Sequence, residues 1–176
     1  MVLIKKYRLF IITVAALMVL FFVNREMAVK SMAITGYSFK EMLLVLPQVF
    51  ILLGLLDVWV PKETMMKYMG EKSGLKGIVL SIILGSAAAG PLYGAFPVAA
   101  VFMKKGVKFS NILIFIGAWS TTKIPMFLFE FASLGSRFAV TRLLVDIPGI
   151  ILIAYILCSL VSKEEVEDIY KNAESL

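Results

Sequence analysis

The chain has 176 residues, of which 60% are hydrophobic and 17% charged, against about 45–50% and about 25% in soluble domains. That balance excludes a water-soluble globule and places the chain in a lipid bilayer. Zero histidines and a single cysteine, Cys158, exclude an internal disulfide and argue against zinc, haem or iron–sulfur chemistry, so no cofactor is expected. The formal charge of +6 is what lysine-rich cytoplasmic loops of a membrane protein produce, and no nucleic-acid partner is expected.

In chain order, Leu9 to Val23 is an unbroken apolar run behind Lys5, Lys6 and Arg8. The following VNREMAVKS lacks a small-x-small cleavage pattern, so the run reads as a retained first span. Residues 24–40 read as a mixed polar connection. Met42 to Val60 reads as a second span, interrupted by Pro47 and Gln48 and carrying Asp57 near its end. Then comes PKETMMKYMGEKSGLKG, a basic segment with Met65, Met66 and Met69 at helical spacing, expected to lie on the membrane surface.

Leu75 to Met103 is apolar again, but GSAAAGPLYGAFP splits it. At 1.5 Å per residue, Leu75–Gly90 gives about 24 Å of helix and Pro91–Met103 about 20 Å. Neither covers the roughly 30 Å of hydrocarbon. Lys62, Lys67, Lys72 and Lys76 precede this region and Lys104, Lys105 and Lys108 follow it, so the positive-inside rule sets both flanks in the cytoplasm. The segment is therefore expected to enter and return, with GPLYG at the tip of a re-entrant hairpin. Phe109 to Phe129 forms the next span, interrupted by STTKIP, and Leu143 to Val161 the last, carrying Asp146 and Pro148. A transmembrane domain over 1–162 and a short charged cytoplasmic tail over 163–176 complete the plan.

The expected fold is thus an all-α integral membrane protein with about four spanning helices plus the hairpin. Basic residues at 5, 6, 8, 62, 67, 72, 76, 104, 105, 108, 163 and 171 then lie inside, and those at 25, 30, 40, 137 and 142 outside. Both termini are expected on the cytoplasmic side of the plasma membrane. Non-helical backbone at membrane depth is tolerated where protein buries it or where it lines a watery cavity, since an unsatisfied amide in lipid costs several kcal/mol. Two such breaks close in sequence are how many transporters build a solute site. The competing reading is that the glycines and alanines only let helices pack closely.

Lys123 lies about 22 Å of helix beyond Lys108, too deep to reach the cytoplasmic face easily. A cation there needs a partner or water, and Asp146 is the natural candidate, although Arg142 stands four residues before it and could pair with it locally. Asp57 and Glu130 read as interfacial, and Trp59 and Trp119 as interfacial or packing aromatics. Ser120, Thr121 and Thr122 can offer hydroxyls to a solute or back-bond to their own helix. Tyr93 places a phenol at the hairpin tip, where it can close the turn.

The order VPKETMMKYMGEKSGLKG, a small-residue segment, then GPLYGAFPVAAVFMKKGVKFSNILIFIGAWSTTKIP resembles the predicted-permease family that includes organoarsenical efflux permeases, in a half-length form over about residues 42–160. The resemblance implies a permease assembled from two similar halves whose Pro-containing breaks face a central pathway. Carried onto this chain, the pathway candidates are Gly90, Pro91, Tyr93, Gly94 and Pro97 in the first break. In the second they are Ser120, Thr121, Thr122, Lys123 and Pro125, with Asp146 added from its charge. PLYGAFP holds no cysteine, whereas many full-length relatives carry C-x-C before the first break's proline, a pattern suited to thiophilic solutes. One half should need a second copy, so a homodimer is expected, passing a small polar or anionic solute. A non-transporting scaffold or accessory subunit is the alternative. An intramembrane enzyme lacks any histidine or recognisable acid pair here.

Overall fold

The computed structural model describes residues 7–88 and 90–174, apart from the side chains at 49, 50, 52, 53, 56, 57 and 174. Lys5, Lys6 and the side chain of Asp57 lie outside the described residues. Among the described residues every regular element is helical and there is no strand. The helices are α1 (Arg8–Val23), α2 (Arg25–Trp59), α3 (Lys62–Met69), α4 (Gly74–Ala87), α5 (Ala95–Lys104), α6 (Phe109–Thr121), α7 (Ile124–Ser133), α8 (Ser136–Leu160) and α9 (Lys163–Glu174). A short 3-10 turn, Leu92–Gly94, precedes α5. Phe109–Ser133, read through its break, and Ser136–Leu160 are each long and apolar enough to cross a bilayer, while α1, α4 and Leu92–Lys104 are shorter apolar helices.

Two compact units divide the chain, residues 1–48 and 49–176. In the first, α1 is apolar along its length and leaves most side chains exposed. Residues 25–40, expected as part of a connection, are helical instead. The Asn24 side-chain oxygen accepts a bond from the Met27 N–H at 3.0 Å, an N-cap that starts α2. The Arg, Glu, Met, Ala and Lys residues that follow are good helix formers, which polarity alone does not reveal. Pro47 sits inside α2 without ending it.

In the second unit the core runs through Met65, Met69, Ala95, Val98, Ala99, Phe102, Val107, Ile112, Phe115 and Trp119. Met65 and Met69 therefore turn their helical face inward onto α5 and α6, while Met66 is half exposed. The methionine stripe expected against lipid is largely a core stripe, because α5 supplies the apolar partner. A second cluster joins Ile114 and Ala118 of α6 to Ile150 and Ala154 of α8.

The largest interface of this unit is α4 against α6, and its closeness has a residue-level cause. A Cβ at Gly85 would sit 2.5 Å from the Phe115 carbonyl oxygen and 2.7 Å from the Ala118 Cβ. Only a glycine lets these backbones approach so far. At the far end of the unit, the Lys105 ammonium donates to the Val60 carbonyl at 2.6 Å, and buried Asn111 donates to the Met69 carbonyl at 2.8 Å and to Ser73 Oγ at 3.1 Å. These bonds tie the α5–α6 turn to the ends of α2 and α3.

The charged segment after residue 162 is a helix that packs on α5. Val166, Ile169, Tyr170 and Ala173 recur at helical spacing, Ala173 is buried, and the Tyr170 hydroxyl donates to the Val107 carbonyl at 2.5 Å. Its start is fixed by a capping box: Ser162 Oγ accepts from the Glu165 N–H at 3.2 Å while the Glu165 carboxylate accepts from the Ser162 N–H at 2.9 Å. The Ser162 N–H and hydroxyl, both donating to the Glu165 carboxylate at 2.9 Å, hold that carboxyl below its usual range. Burial pushes the Tyr170 hydroxyl from its ordinary 10 up to about 12.

Two outcomes follow for folding measured in mixed micelles. Gly85→Ala costs about 1–3 kcal/mol through overpacking, whereas Gly149→Ala, where an added Cβ meets nothing within 4 Å, is neutral or stabilising by about 0.5–1 kcal/mol. Tyr170→Phe costs about 1 kcal/mol, the net worth of one hydrogen bond. Because the folded hydroxyl titrates higher than the unfolded one, its contribution is complete below pH 10 and is lost as pH rises through about 12; tyrosinate absorbance and unfolding read in parallel check the sign.

Candidate functional site: two helix breaks

The first break begins where α4 stops at Ala87. Ala88 is extended, and Gly90 takes φ +106°, a region that L side chains rarely adopt. Pro91 is extended, the Gly94 N–H closes onto the Pro91 carbonyl at 3.0 Å, and α5 starts at Ala95. Pro97 falls in the first turn of α5, where a missing N–H leaves no hydrogen bond unmade. The second break begins where α6 stops at Thr121. Lys123 is extended, and Ile124 opens α7 with Pro125 in its first turn.

A single carbonyl joins the two. The Lys123 ammonium donates to the Gly90 oxygen at 2.6 Å, and the Trp119 indole N–H donates to the same oxygen at 3.4 Å. A helix leaves its last four carbonyls without intrahelical partners, and here a cation from the other break serves one just beyond the end of α4. Beside it, Ser86 Oγ and Thr122 Oγ1 lie 2.7 Å apart. Thr121 and Thr122 also bond back to the carbonyls of Gly117 and Ala118 at 3.0 and 3.1 Å, so both threonines make the local bond that a helix offers them.

Lys123 and Asp146 do not form the expected pair. Asp146 Oδ2 lies 3.3 Å from Arg142 Nε, one turn back on the same helix, so the nearer cation takes it. Arg142 also donates to the Glu130 carboxylate on α7 and to the Thr121 carbonyl at 2.7 Å. One guanidinium thus links α7, α8 and the end of α6, a use that suits its planar fork of five donors. Glu130, expected at an interface with water, is 7% exposed. Nothing in its local sequence shows this; the contact joins residues on different helices, and only the Arg142–Asp146 spacing was readable beforehand.

The structure therefore brings together Gly90, Trp119, Thr121, Thr122 and Lys123, with Ser86 added, and sets Arg142, Glu130 and Asp146 against the second break. Gly94 is buried and Pro91 and Pro97 are partly so. Tyr93, Ser120 and Pro125 are exposed on this chain. Among the described residues no three His, Cys, Asp or Glu side chains converge as metal ligands.

A family model described as Predicted permease matches residues 27–175. No curated protein and no solved structure gives a significant match. The matched span is wider than the motif-based resemblance: it takes in most of α2, both breaks, the Arg142 cluster and the docked α9. With a match over most of its length and two helices long and apolar enough to cross a bilayer, the chain belongs to the predicted-permease family ArsP_1.

Proposed function

We propose that the chain is a permease subunit that moves a small polar or anionic solute along a path lined by the two helix breaks. The observation that carries this reading is the Lys123 ammonium held at 2.6 Å on the Gly90 carbonyl. Packing alone asks for small residues. It does not ask for a cation and two interrupted backbones to meet where the lipid would otherwise supply no hydrogen-bond partner. Lys123 is partly exposed, so its charge is available to an anion entering between the breaks.

The hairpin supports the same reading. With 14 residues in α4 and 10 in α5, each limb reaches only about 21 and 15 Å, too little to cross, and lysines flank both ends. Entry and return from the cytoplasmic side gives four spans plus a re-entrant hairpin with both termini inside. Tyr93 and Ser120, exposed on one chain, would line the path once a second copy covers them, which makes the working unit a homodimer. The scaffold reading draws on a different observation, the close approach of helices at Gly85 and at Gly117, where an added Cβ would meet Ile150 at 2.8 Å.

Single cysteines at the exposed positions Leu92, Tyr93 and Ser120, in a chain with Cys158 replaced, separate the two. Labelling by membrane-impermeant thiol reagents in oriented vesicles is expected at these mid-membrane positions; labelling confined to exposed controls at Lys30 and Lys72 contradicts the pathway. Lys123→Met is expected to abolish flux of small labelled anions through proteoliposomes while the protein still folds. Under the scaffold reading the same variant loses the clamp on the Gly90 carbonyl, and with it stability, and alters no flux.

A further inference from the structure

We propose that Asp146 is a proton-carrying residue of the permease, exchanging its proton with the first break through one water-sized cavity and the Thr122–Ser86 hydroxyl pair. The inference rests on the permease reading and adds the coupling ion to it.

The charges around Asp146 do not balance. From its own helix it faces Arg142, from α7 Glu130, and from α6 the hydroxyl-bearing Thr121 and Thr122; Lys123, the next cation, is turned to the Gly90 carbonyl. Two carboxylates thus share one guanidinium, and they share it unequally. Glu130 accepts a direct hydrogen bond from Nη1, and Nη2 is taken by the Thr121 carbonyl. Asp146 Oδ2 has only the 3.3 Å approach of Nε, which lacks hydrogen-bond geometry: this oxygen is enclosed and has no hydrogen-bond partner. It is the group in the cluster that gains a partner by binding a proton.

The same oxygen belongs to a residue that lines a small cavity with about 10 Å³ of space for the centre of a water-sized sphere, which is room for one water molecule. The guanidinium already beside both carboxylates, and not the size, chooses the ion. A metal cation takes several oxygen ligands at bonding distance, whereas a proton needs one carboxylate oxygen. Thr122 lines the cavity on one side and meets Ser86 Oγ at 2.7 Å on the other, and Ser86 lies in the last turn of α4, before the first break. A proton from pathway water passes to the Ser86 hydroxyl as that hydroxyl gives its own to Thr122. Thr122, as it accepts, swings its own hydrogen from the Ala118 carbonyl into the cavity and gives it up there, and Asp146 ends protonated with no charge left on either hydroxyl. Release runs in reverse.

Infrared difference spectra of the intact protein in lipid nanodiscs, titrated with pH and no solute, test this. Expected is a protonated-carboxyl stretch that disappears as pH rises, is absent in Asp146→Asn and persists in Glu130→Gln. In the unmutated protein, carbon-13 labelling of aspartate is expected to move that band and labelling of glutamate to leave it, which decides the matter even where a variant does not fold. A set of titrating bands unchanged by Asp146→Asn, or titrating bands that move only with labelled glutamate, overturns the proposal. Because no solute is used, that failure is distinct from dry breaks in the thiol-labelling experiment, which judge the pathway itself.

Discussion

A carbonyl left without a partner in hydrocarbon costs several kcal/mol, and the second unit is organised around the carbonyls that its interrupted helices release. Gly90 is served by Lys123 and Trp119, Thr121 by Arg142, and Val60 by Lys105. Each donor comes from a segment distant in sequence, so every break is also a tertiary clamp. The charge that satisfies the backbone is the charge that makes the region chemically interesting. A lysine placed to cap a carbonyl is also placed to meet an anion, provided it can exchange one oxygen for another.

Packing and polarity cooperate here. The close α4–α6 approach at Gly85 brings the end of α4 level with the end of α6. Without it, Ser86 could not reach Thr122, nor Lys123 the Gly90 oxygen. Small residues set the distance and polar residues use it. At the other end of the unit, α9 covers α5 through Tyr170 and Ala173, and Asn111 holds the start of α6 to the end of α3.

Much of this was legible in the sequence because it is written in residues with few conformational options. Glycine and proline gave both breaks: Pro91, Pro97 and Pro125 cannot continue a helix from the preceding turn, and Gly90 occupies a φ that suits it alone. Hydropathy gave the all-helical class. What was hidden depends on long-range partners. Residues 25–40 read as a connection because their polarity masks their helix propensity and the Asn24 cap. The Met65 and Met69 face was assigned to lipid because a core partner on α5 cannot be seen from spacing. Lys123 was paired with Asp146 by charge, yet its partner is a backbone oxygen, and Glu130 was left at the surface because nothing local announces Arg142 as its counter-ion.

The central claim is that water reaches the junction of the two breaks in the folded, membrane-embedded protein. Hydrogen–deuterium exchange of the peptide spanning Leu92–Gly94, measured in lipid nanodiscs, addresses it most directly. The account predicts exchange much faster than in the flanking segments of α4 and α6, and slower when a saturating anion occupies the junction. Protection equal to that of the α6 core would mean that the Lys123–Gly90 contact is dry, and would contradict the account.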